Sequence, residues 1–138
     1  MAGGLSFFDT NILIYTVDAA APDKRSKAIA LWKKQVAASF AVISLQVMQE
    51  YYNTAIRKLG IDPALARQQV EVMSRVKVVR FDEKDVLAAI DIQRLNRISF
   101  WDAMIVHATV MSGARILYSE DLQHASAIGG IQVINPFL

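Results

Sequence analysis

Short runs of apolar residues alternate along this chain with longer segments of helical periodicity, and this alternation restricts the fold more than any other feature of the sequence. The apolar runs carry few polar residues, which is typical of strands that are buried on both faces. Buried strands that alternate with helices form a parallel sheet with helices packed on its faces. The sequence therefore predicts an α/β fold of three layers, α/β/α, around a central parallel sheet. The predicted strands are residues 5–8, 40–43, 77–81, 115–118 and 132–135.

Two of the predicted helices begin with the same motif, a capping residue followed three positions later by an acid. Asp82 and Asp85 form one such pair. Ser99 and Asp102 form the other. In a capping box, each side chain of the pair binds the backbone N–H of the other residue. The helix that Ser99 opens is apolar on nearly all sides, which predicts a deeply buried position. The predicted helical segments are residues 11–17, 24–38, 44–58, 62–75, 82–95 and 100–112.

Length and composition predict one domain, residues 1–138, with a substantial core. Of the residues, 54% are apolar and 20% are charged, which excludes a disordered chain. The absence of cysteine excludes disulfides and thiolate metal sites and fits a reducing cytoplasm. No uncharged apolar run reaches the roughly 18 residues that cross a bilayer. No Lys or Arg precedes Lys24, which argues against a signal peptide. We therefore expect a cytoplasmic protein without membrane association.

Four acids that are far apart in sequence are predicted to share one edge of the sheet. Asp9 directly follows a predicted strand, and Asp121 closely follows another. Glu50 lies in the first half of the helix after the strand at 40–43, and Asp102 lies in the first turn of its helix. In a parallel α/β sheet, strand carboxyl ends and helix N-termini share the edge at which ligands bind. We therefore expect the four carboxylates to lie close together.

Four neighbouring carboxylates would repel one another, so their proximity predicts a hard divalent cation with oxygen ligands, Mg²⁺ or Mn²⁺. The charge balance of the remaining chain is basic. Setting these four of the 13 acids aside leaves nine acids against 15 basic residues. An acidic pocket in a basic surround suits a metal ion together with a polyanion such as nucleic acid.

Each acid also has an ordinary structural explanation. Asp102 can complete the capping box of its helix, and Asp9 can form a turn. Glu50 can be a solvated helix residue. Asp121 can be a loop acid, and Glu120 competes with it for the same role. One shared site explains four acids at one edge better than four unrelated roles.

Other catalytic arrangements are weaker in this sequence. His107 lies five positions after Asp102, on a different face of the same helix, which predicts a core histidine and not a ligand. The chain has no glycine-rich phosphate loop and no nucleophile-elbow motif, and nothing places a Ser–His–Asp triad. The candidates for binding nucleic-acid phosphates are Arg57, Lys58, Arg94, Arg97 and Arg115.

Five short motifs resemble those of a PIN domain, and they occur in the family's order. Four of them contain the predicted acids, and the fifth ends the chain. The match extends from Asp9 to Phe137. As one bare domain, the chain resembles the VapC-type toxins of bacterial or archaeal toxin–antitoxin pairs. The matching segments are DTN at 9–11, SLQVMQEYY at 44–52, SFWDA at 99–103, SEDL at 119–122 and QVINPF at 132–137.

This resemblance implies a Mg²⁺- or Mn²⁺-dependent endoribonuclease that hydrolyses RNA to 5′-phosphate and 3′-hydroxyl ends. It also implies a homodimer, and inhibition by a small antitoxin protein that inserts into the active-site groove. Asn11 and Ser119 match polar positions that support the site, and Ser119 keeps the hydroxyl of the threonine that is frequent there. The fourth acid is the family's least uniform position. The residues carried over as catalytic, metal-binding acids are Asp9, Glu50, Asp102 and Asp121.

Three other classes of protein are weighed against a nuclease. A metal-dependent phosphatase of the haloacid-dehalogenase type also begins with an Asp at a strand end, but it needs a second Asp where this chain has Asn11. A receiver domain needs an acceptor Asp after its central strand, and the strand at 40–43 is followed by Ser44. A non-catalytic module that binds RNA or protein is the third alternative. A nuclease assay with Mg²⁺ against EDTA separates that module from an enzyme.

Overall fold

The computed structural model describes residues 4–138, with the exception of the His124 side chain. Strands and helices follow one another as the sequence predicts, and two short 3₁₀ turns, Gln123–Ala125 and Ile128–Gly130, precede the last strand. The elements in chain order are β1 (Ser6–Phe8), α1 (Thr10–Tyr15), α2 (Pro22–Ala37), β2 (Ala41–Ser44), α3 (Leu45–Arg57), α4 (Pro63–Met73), β3 (Lys77–Val79), α5 (Glu83–Asn96), α6 (Phe100–Ser112), β4 (Ile116–Tyr118) and β5 (Gln132–Ile134).

The five strands form one parallel sheet with β1 at its centre. The strand order is β3-β2-β1-β4-β5, and each neighbouring pair is parallel. With helices flanking this sheet, the predicted α/β/α architecture is confirmed. Phe8 pairs with Tyr118, so Asp9 and Ser119, which follow these two residues, emerge side by side. The Asp9 backbone N–H donates to the Tyr118 carbonyl at 3.0 Å.

The core lies on both faces of the central strands, as the uninterrupted apolar runs predict. Phe7 and Phe8 point to opposite faces of β1, and both are fully buried. α6 buries six of its 13 residues, which confirms the prediction of a deep position for this helix. This packing fixes the N-terminal turn of α6 at the carboxyl edge of the sheet. Within residues 4–138, no helix is both long and apolar enough to span a membrane.

Each observed boundary lies within two residues of the predicted one. α2 begins at Pro22, two residues earlier than predicted, because proline fits the first helical turn, where its missing N–H removes no hydrogen bond. α1 begins at Thr10 because the side chain of Asp9 caps it. α6 ends at Gly113, whose φ of 86° is the left-handed conformation that favours glycine at a helix C-terminus. These local signals place the ends of the elements that carry the predicted acids.

Candidate active site

The four predicted acids line one open groove at the carboxyl edge of the sheet. The groove holds about 550 Å³. Asp9 follows the central strand β1, and Asp121 lies in the loop after β4. Glu50 projects from α3, and Asp102 from the first turn of α6. Four separate elements therefore bring these side chains to the same place, as the topology of the sheet predicts.

Asp9 lies at the centre of the hydrogen bonds in this groove. Its Oδ1 accepts from the Thr10 backbone N–H at 2.8 Å, and its Oδ2 accepts from the Ser119 hydroxyl at 2.7 Å. Burial raises the pKa of the Asp9 carboxyl to about 6, although these two hydrogen bonds lower it. The nearby charges of Glu50 and Asp102 add to the rise. Among the salt bridges of residues 4–138, none involves Asp9. The ionised form of Asp9 therefore lacks a compensating cation in this part of the chain.

Glu50 is held at both of its carboxylate oxygens. Its Oε1 accepts from the Thr10 hydroxyl at 2.7 Å, and its Oε2 accepts from the Gln46 side-chain amide at 3.2 Å. The same Gln46 amide also donates to the Trp101 carbonyl at 3.2 Å, which links α3 to the start of α6. Sequence reasoning missed Thr10 and Gln46. The available signals were the position of Thr10 directly after Asp9, and the spacing of four residues that puts Gln46 and Glu50 on one helix face.

The two predicted supporting residues contact the predicted acids. The hydroxyl of Ser119, which is fully buried, donates to Asp9 and accepts from the Asp121 backbone N–H at 3.2 Å. Asn11 donates to the Asp121 Oδ2 at 3.0 Å and accepts from the Glu120 backbone N–H at 3.4 Å. Ser119 and Asn11 therefore tie the loop after β4 to the end of β1.

The structure separates the two neighbouring acids Glu120 and Asp121. Glu120 accepts from the Tyr15 hydroxyl at 2.7 Å and forms an ion pair with Lys24. Burial alone raises the pKa of Glu120, but the hydrogen bonds from Lys24 and Tyr15 outweigh it, and the net pKa is lowered. The Lys24 ammonium lies 4.9 Å from the centre of the Tyr15 ring and 5.5 Å from that of Phe137. Glu120 is thus neutralised by a cation of the chain itself, whereas Asp121 is exposed and bound by Asn11.

Asp102 forms only half of the predicted capping box. The Ser99 hydroxyl accepts from the Asp102 backbone N–H at 3.0 Å. No return bond from the Ser99 N–H to the Asp102 carboxylate is present in the described part of the chain. The carboxylate lines the groove instead. The Asp102 backbone therefore takes part in helix capping while its carboxylate remains available in the groove.

The remaining candidates divide between the groove and other places. His107 lies against Asp85, with the Nε2 atom 2.9 Å from the Oδ1 atom, and its ring packs edge-on against Phe81. It does not line the groove, and it is half-buried in this contact with Asp85 and not part of the hydrophobic core. Among the five basic candidates, Lys58 lines the groove. Arg115 precedes β4, at the opposite edge of the sheet.

The donor set of the groove fits a hard divalent cation. Within residues 4–138, no three acidic or histidine side chains already converge on a position that could hold a metal ion. The carboxylates nevertheless act on one another, because Glu50 and Asp102 both raise the pKa of Asp9. Their oxygens are the ligands that Mg²⁺ and Mn²⁺ prefer. A cation held by these carboxylates would compensate the charge on Asp9 that burial and its neighbours oppose.

The sequence of residues 6–128 matches the family model of the PIN domain. This match covers most of the chain and contains the four acids of the groove. No curated protein sequence matches the chain.

The fold is similar to solved structures from several bacteria. The sarcin–ricin-loop-cleaving toxin VapC20 of Mycobacterium tuberculosis is 19% identical, with a TM-score of 0.70 over 92% of this chain and 98% of its own. DNA-bound VapBC from Salmonella typhimurium is 20% identical, with a TM-score of 0.70 over 96% and 98% of the two chains. FitAcB from Neisseria gonorrhoeae is 15% identical, with a TM-score of 0.75 over 96% and 99%. At these identities the likeness establishes a shared fold over nearly the whole length of each chain.

Proposed function

The chain belongs to the PIN-domain family, and from this premise we propose that it is a Mg²⁺- or Mn²⁺-dependent endoribonuclease that acts as the toxin of a type II toxin–antitoxin pair. PIN domains are nucleases, so action on a nucleic-acid phosphodiester bond follows from the family itself. RNA as the substrate, the divalent cation and the toxin role are the proposed part. The observation that carries the proposal is the groove in which carboxylates from four separate elements meet.

We assign the cation to Asp9, Glu50, Asp102 and Asp121. When bound there, a divalent ion supplies Lewis-acid chemistry, activating water and stabilising the charge that develops on the phosphate. Thr10 and Ser119 orient two of these carboxylates through hydroxyl hydrogen bonds. Such outer partners fix ligand geometry, and their loss typically costs about 10- to 100-fold in affinity or activity.

The reaction that fits this groove is hydrolysis with water as the nucleophile. Water attacks the phosphorus in line with the leaving 3′ oxygen, the bond between phosphorus and that oxygen breaks, and the products carry 5′-phosphate and 3′-hydroxyl ends. Neither a 2′-hydroxyl nucleophile nor a catalytic histidine is required. The position of His107 against Asp85, away from the groove, agrees with this scheme.

The toxin role is proposed from the similar structures. The structural relatives include a toxin–antitoxin complex from Klebsiella pneumoniae. Leu87, Leu95 and Trp101 are more than half exposed. Such side chains are available to a protein partner, although single exposed apolar residues are ordinary on protein surfaces. The partners we propose are a small antitoxin and a second copy of the chain.

The decisive experiment is an RNA cleavage assay with Mn²⁺ or Mg²⁺ against EDTA. Wild-type protein is expected to cut RNA only with the metal, and Asp9→Asn is expected to abolish cleavage without unfolding the protein. Asp18→Asn is the matched control, because Asp18 lines the same groove but lies outside the four acids. Cleavage by Asp9→Asn at the wild-type rate would refute the assignment.

A second measurement does not depend on activity. Mn²⁺ is expected to raise the Tm of the wild-type protein, because an ion that binds only the folded state stabilises it. The rise should vanish in Asp9→Asn and persist in Asp18→Asn. RNA binding without metal-dependent cutting would instead support the non-catalytic module. Sequencing of RNA ends after expression would identify the target.

A further inference from the structure

Helix α3 and its C-terminal cap, Lys58, carry a polar track along the groove that starts at Glu50 and leads away from the other acids. Glu50, Asn53, Thr54 and Lys58 all line the groove. Their spacing of three and four residues places them on one face of the helix. At about 1.5 Å per residue, the track extends about 12 Å from Glu50 to Lys58. The groove therefore has an acidic end at the sheet and a basic end at the C-terminus of α3.

Lys58 differs from the other cation near the groove in having no partner. Lys24 is engaged by Glu120 and by the rings beside it. Lys58 is exposed and forms no salt bridge within residues 4–138. It is also the one basic residue among the described residues that line the groove. The Lys58 charge helps to lower the pKa of Glu120, but no carboxylate of the described chain forms a salt bridge with the ammonium, which leaves it able to bind an anion that enters the groove.

The acidic lining of the groove repels a polyanion, so the positive charge of Lys58 favours its binding. Six acids line the groove with Lys58. A nucleic-acid strand approaching these acids is repelled except where a cation neutralises it, and lysine is a compact point charge that binds phosphate well. About 12 Å of helix separates the Cα positions of Glu50 and Lys58, which favours contact of Lys58 with a phosphate other than the one that the acids act on. The ammonium is placed to contact a different phosphate of the same strand.

We propose that Lys58 binds a backbone phosphate that flanks the cleaved one, and that the Glu50–Lys58 face of α3 fixes the path of the RNA strand through the groove. This inference rests on the proposed function and names how the substrate is held. Lys58 is then a binding residue that positions RNA without touching the reacting atoms. Contacts of this kind give affinity that depends on salt and not on base sequence.

The test is equilibrium binding of a fluorescently labelled oligouridylate, measured over a range of salt concentrations. The protein carries Asp9→Asn, which blocks cleavage, with and without Lys58→Gln. We expect Lys58→Gln to weaken binding by about threefold to tenfold at low salt, and to reduce the slope of log affinity against log salt by about one. Lys58→Arg keeps the charge and should restore both quantities. Lys27→Gln, on the exposed face of α2, is the matched control for loss of a lysine and should leave both unchanged.

Kinetics with otherwise wild-type protein separate this inference from the proposed function. If the wild-type protein cleaves RNA with Mn²⁺, Lys58→Gln should raise KM and leave kcat nearly unchanged. Wild-type cleavage together with unaltered binding and salt slope in Lys58→Gln would overturn the role of Lys58 alone. Equal weakening by Lys27→Gln would overturn it too, because binding would then follow net charge. Failure of the wild-type protein to cleave would refute the proposed function, and the inference with it.

Discussion

Helices α5 and α6 pack against each other and begin with the same motif, yet the acids of the two motifs have opposite surroundings. In α5, Asp85 completes the capping box, accepting from the Asp82 backbone N–H at 3.0 Å, and it also binds His107 at 2.9 Å. In α6, Ser99 caps the helix, but the Asp102 carboxylate has no hydrogen-bond partner in the described part of the chain. Asp85 is therefore bound within the fold, whereas the Asp102 carboxylate is unpaired within residues 4–138 and lines the groove.

The difference separates an acid that stabilises the fold from one that we propose to act in the groove. The hydrogen bond with His107 lowers the pKa of Asp85, because it stabilises the charged form. At the groove, burial raises the pKa of Asp9, and Asp102 contributes to the rise. A carboxylate with a built-in partner contributes to the stability of the fold. Carboxylates gathered without a compensating cation oppose it, and groups with such perturbed pKa values are concentrated at functional sites.

The largest effect on the cleavage rate is expected from substitution of Asp102, the acid of the α6 motif. Asp102→Asn should lower the RNA cleavage rate by more than the roughly 100-fold that loss of an outer-shell partner costs. Its Tm in EDTA should equal or slightly exceed that of the wild-type protein, because the carboxylate forms no hydrogen bond within residues 4–138 and its charge opposes that of Asp9. Initial rates with Mn²⁺ and thermal unfolding in EDTA measure the two quantities. If the variant keeps its cleavage rate or loses stability, Asp102 would be a structural acid like Asp85.

A smaller effect is expected where a carboxylate of the groove is held by a hydroxyl. Ser119→Ala removes the donor to Asp9 and the acceptor for the Asp121 backbone N–H. We expect cleavage to fall by about 10- to 100-fold, and Ser119→Thr to restore it by returning the hydroxyl. Rates are compared with those of Ser112→Ala, in which another buried hydroxyl is lost at the far end of α6. Equal loss of activity in the two alanine variants would mean that Ser119 acts through the packing of the core and not through its hydrogen bond to Asp9.

Sequence reasoning predicted the features that local signals or sheet topology determine. Apolar runs and capping residues are local, so the order and ends of the elements followed from them. The gathering of Asp9, Glu50, Asp102 and Asp121 followed from the rule that parallel strands share a carboxyl edge. These predictions needed no knowledge of which side chains touch.

The details that the sequence left open depend on tertiary contacts. The motifs that open α5 and α6 are alike in sequence, and they differ in the structure by the return capping bond to Asp85 and by the position of His107 beside it. Glu120 and Asp121 are adjacent acids, and the ion pair with Lys24, from a distant helix, assigns Glu120 to the fold. Distances of this kind are set by the assembled sheet, so no periodicity or spacing along the chain reports them.

The smallest expected effect is on the stability of the protein, through Asp85, the acid of the α5 motif. Asp85→Asn removes the charged partner of His107, so it should lower the Tm and leave the cleavage rate with Mn²⁺ unchanged, the reverse of Asp102→Asn. The lowered pKa of Asp85 determines how its contribution to stability changes with pH. Because the pKa of Asp85 is lowered from 3.8 in the folded state, the unfolded chain binds more protons just below that pH. The stabilisation by Asp85 is therefore complete above about pH 4 and is lost as the pH falls through the lowered pKa.

The difference in Tm between wild type and Asp85→Asn should accordingly shrink as the pH falls through the lowered pKa of Asp85. Thermal unfolding of both proteins from about pH 7 to about pH 3 measures it. Asp91→Asn, on the exposed surface of the same helix, controls for the loss of one negative charge on α5. A difference that stays constant into acid would mean that Asp85 stabilises α5 by backbone capping without its charge, and the contrast with Asp102 would then rest on hydrogen bonding alone.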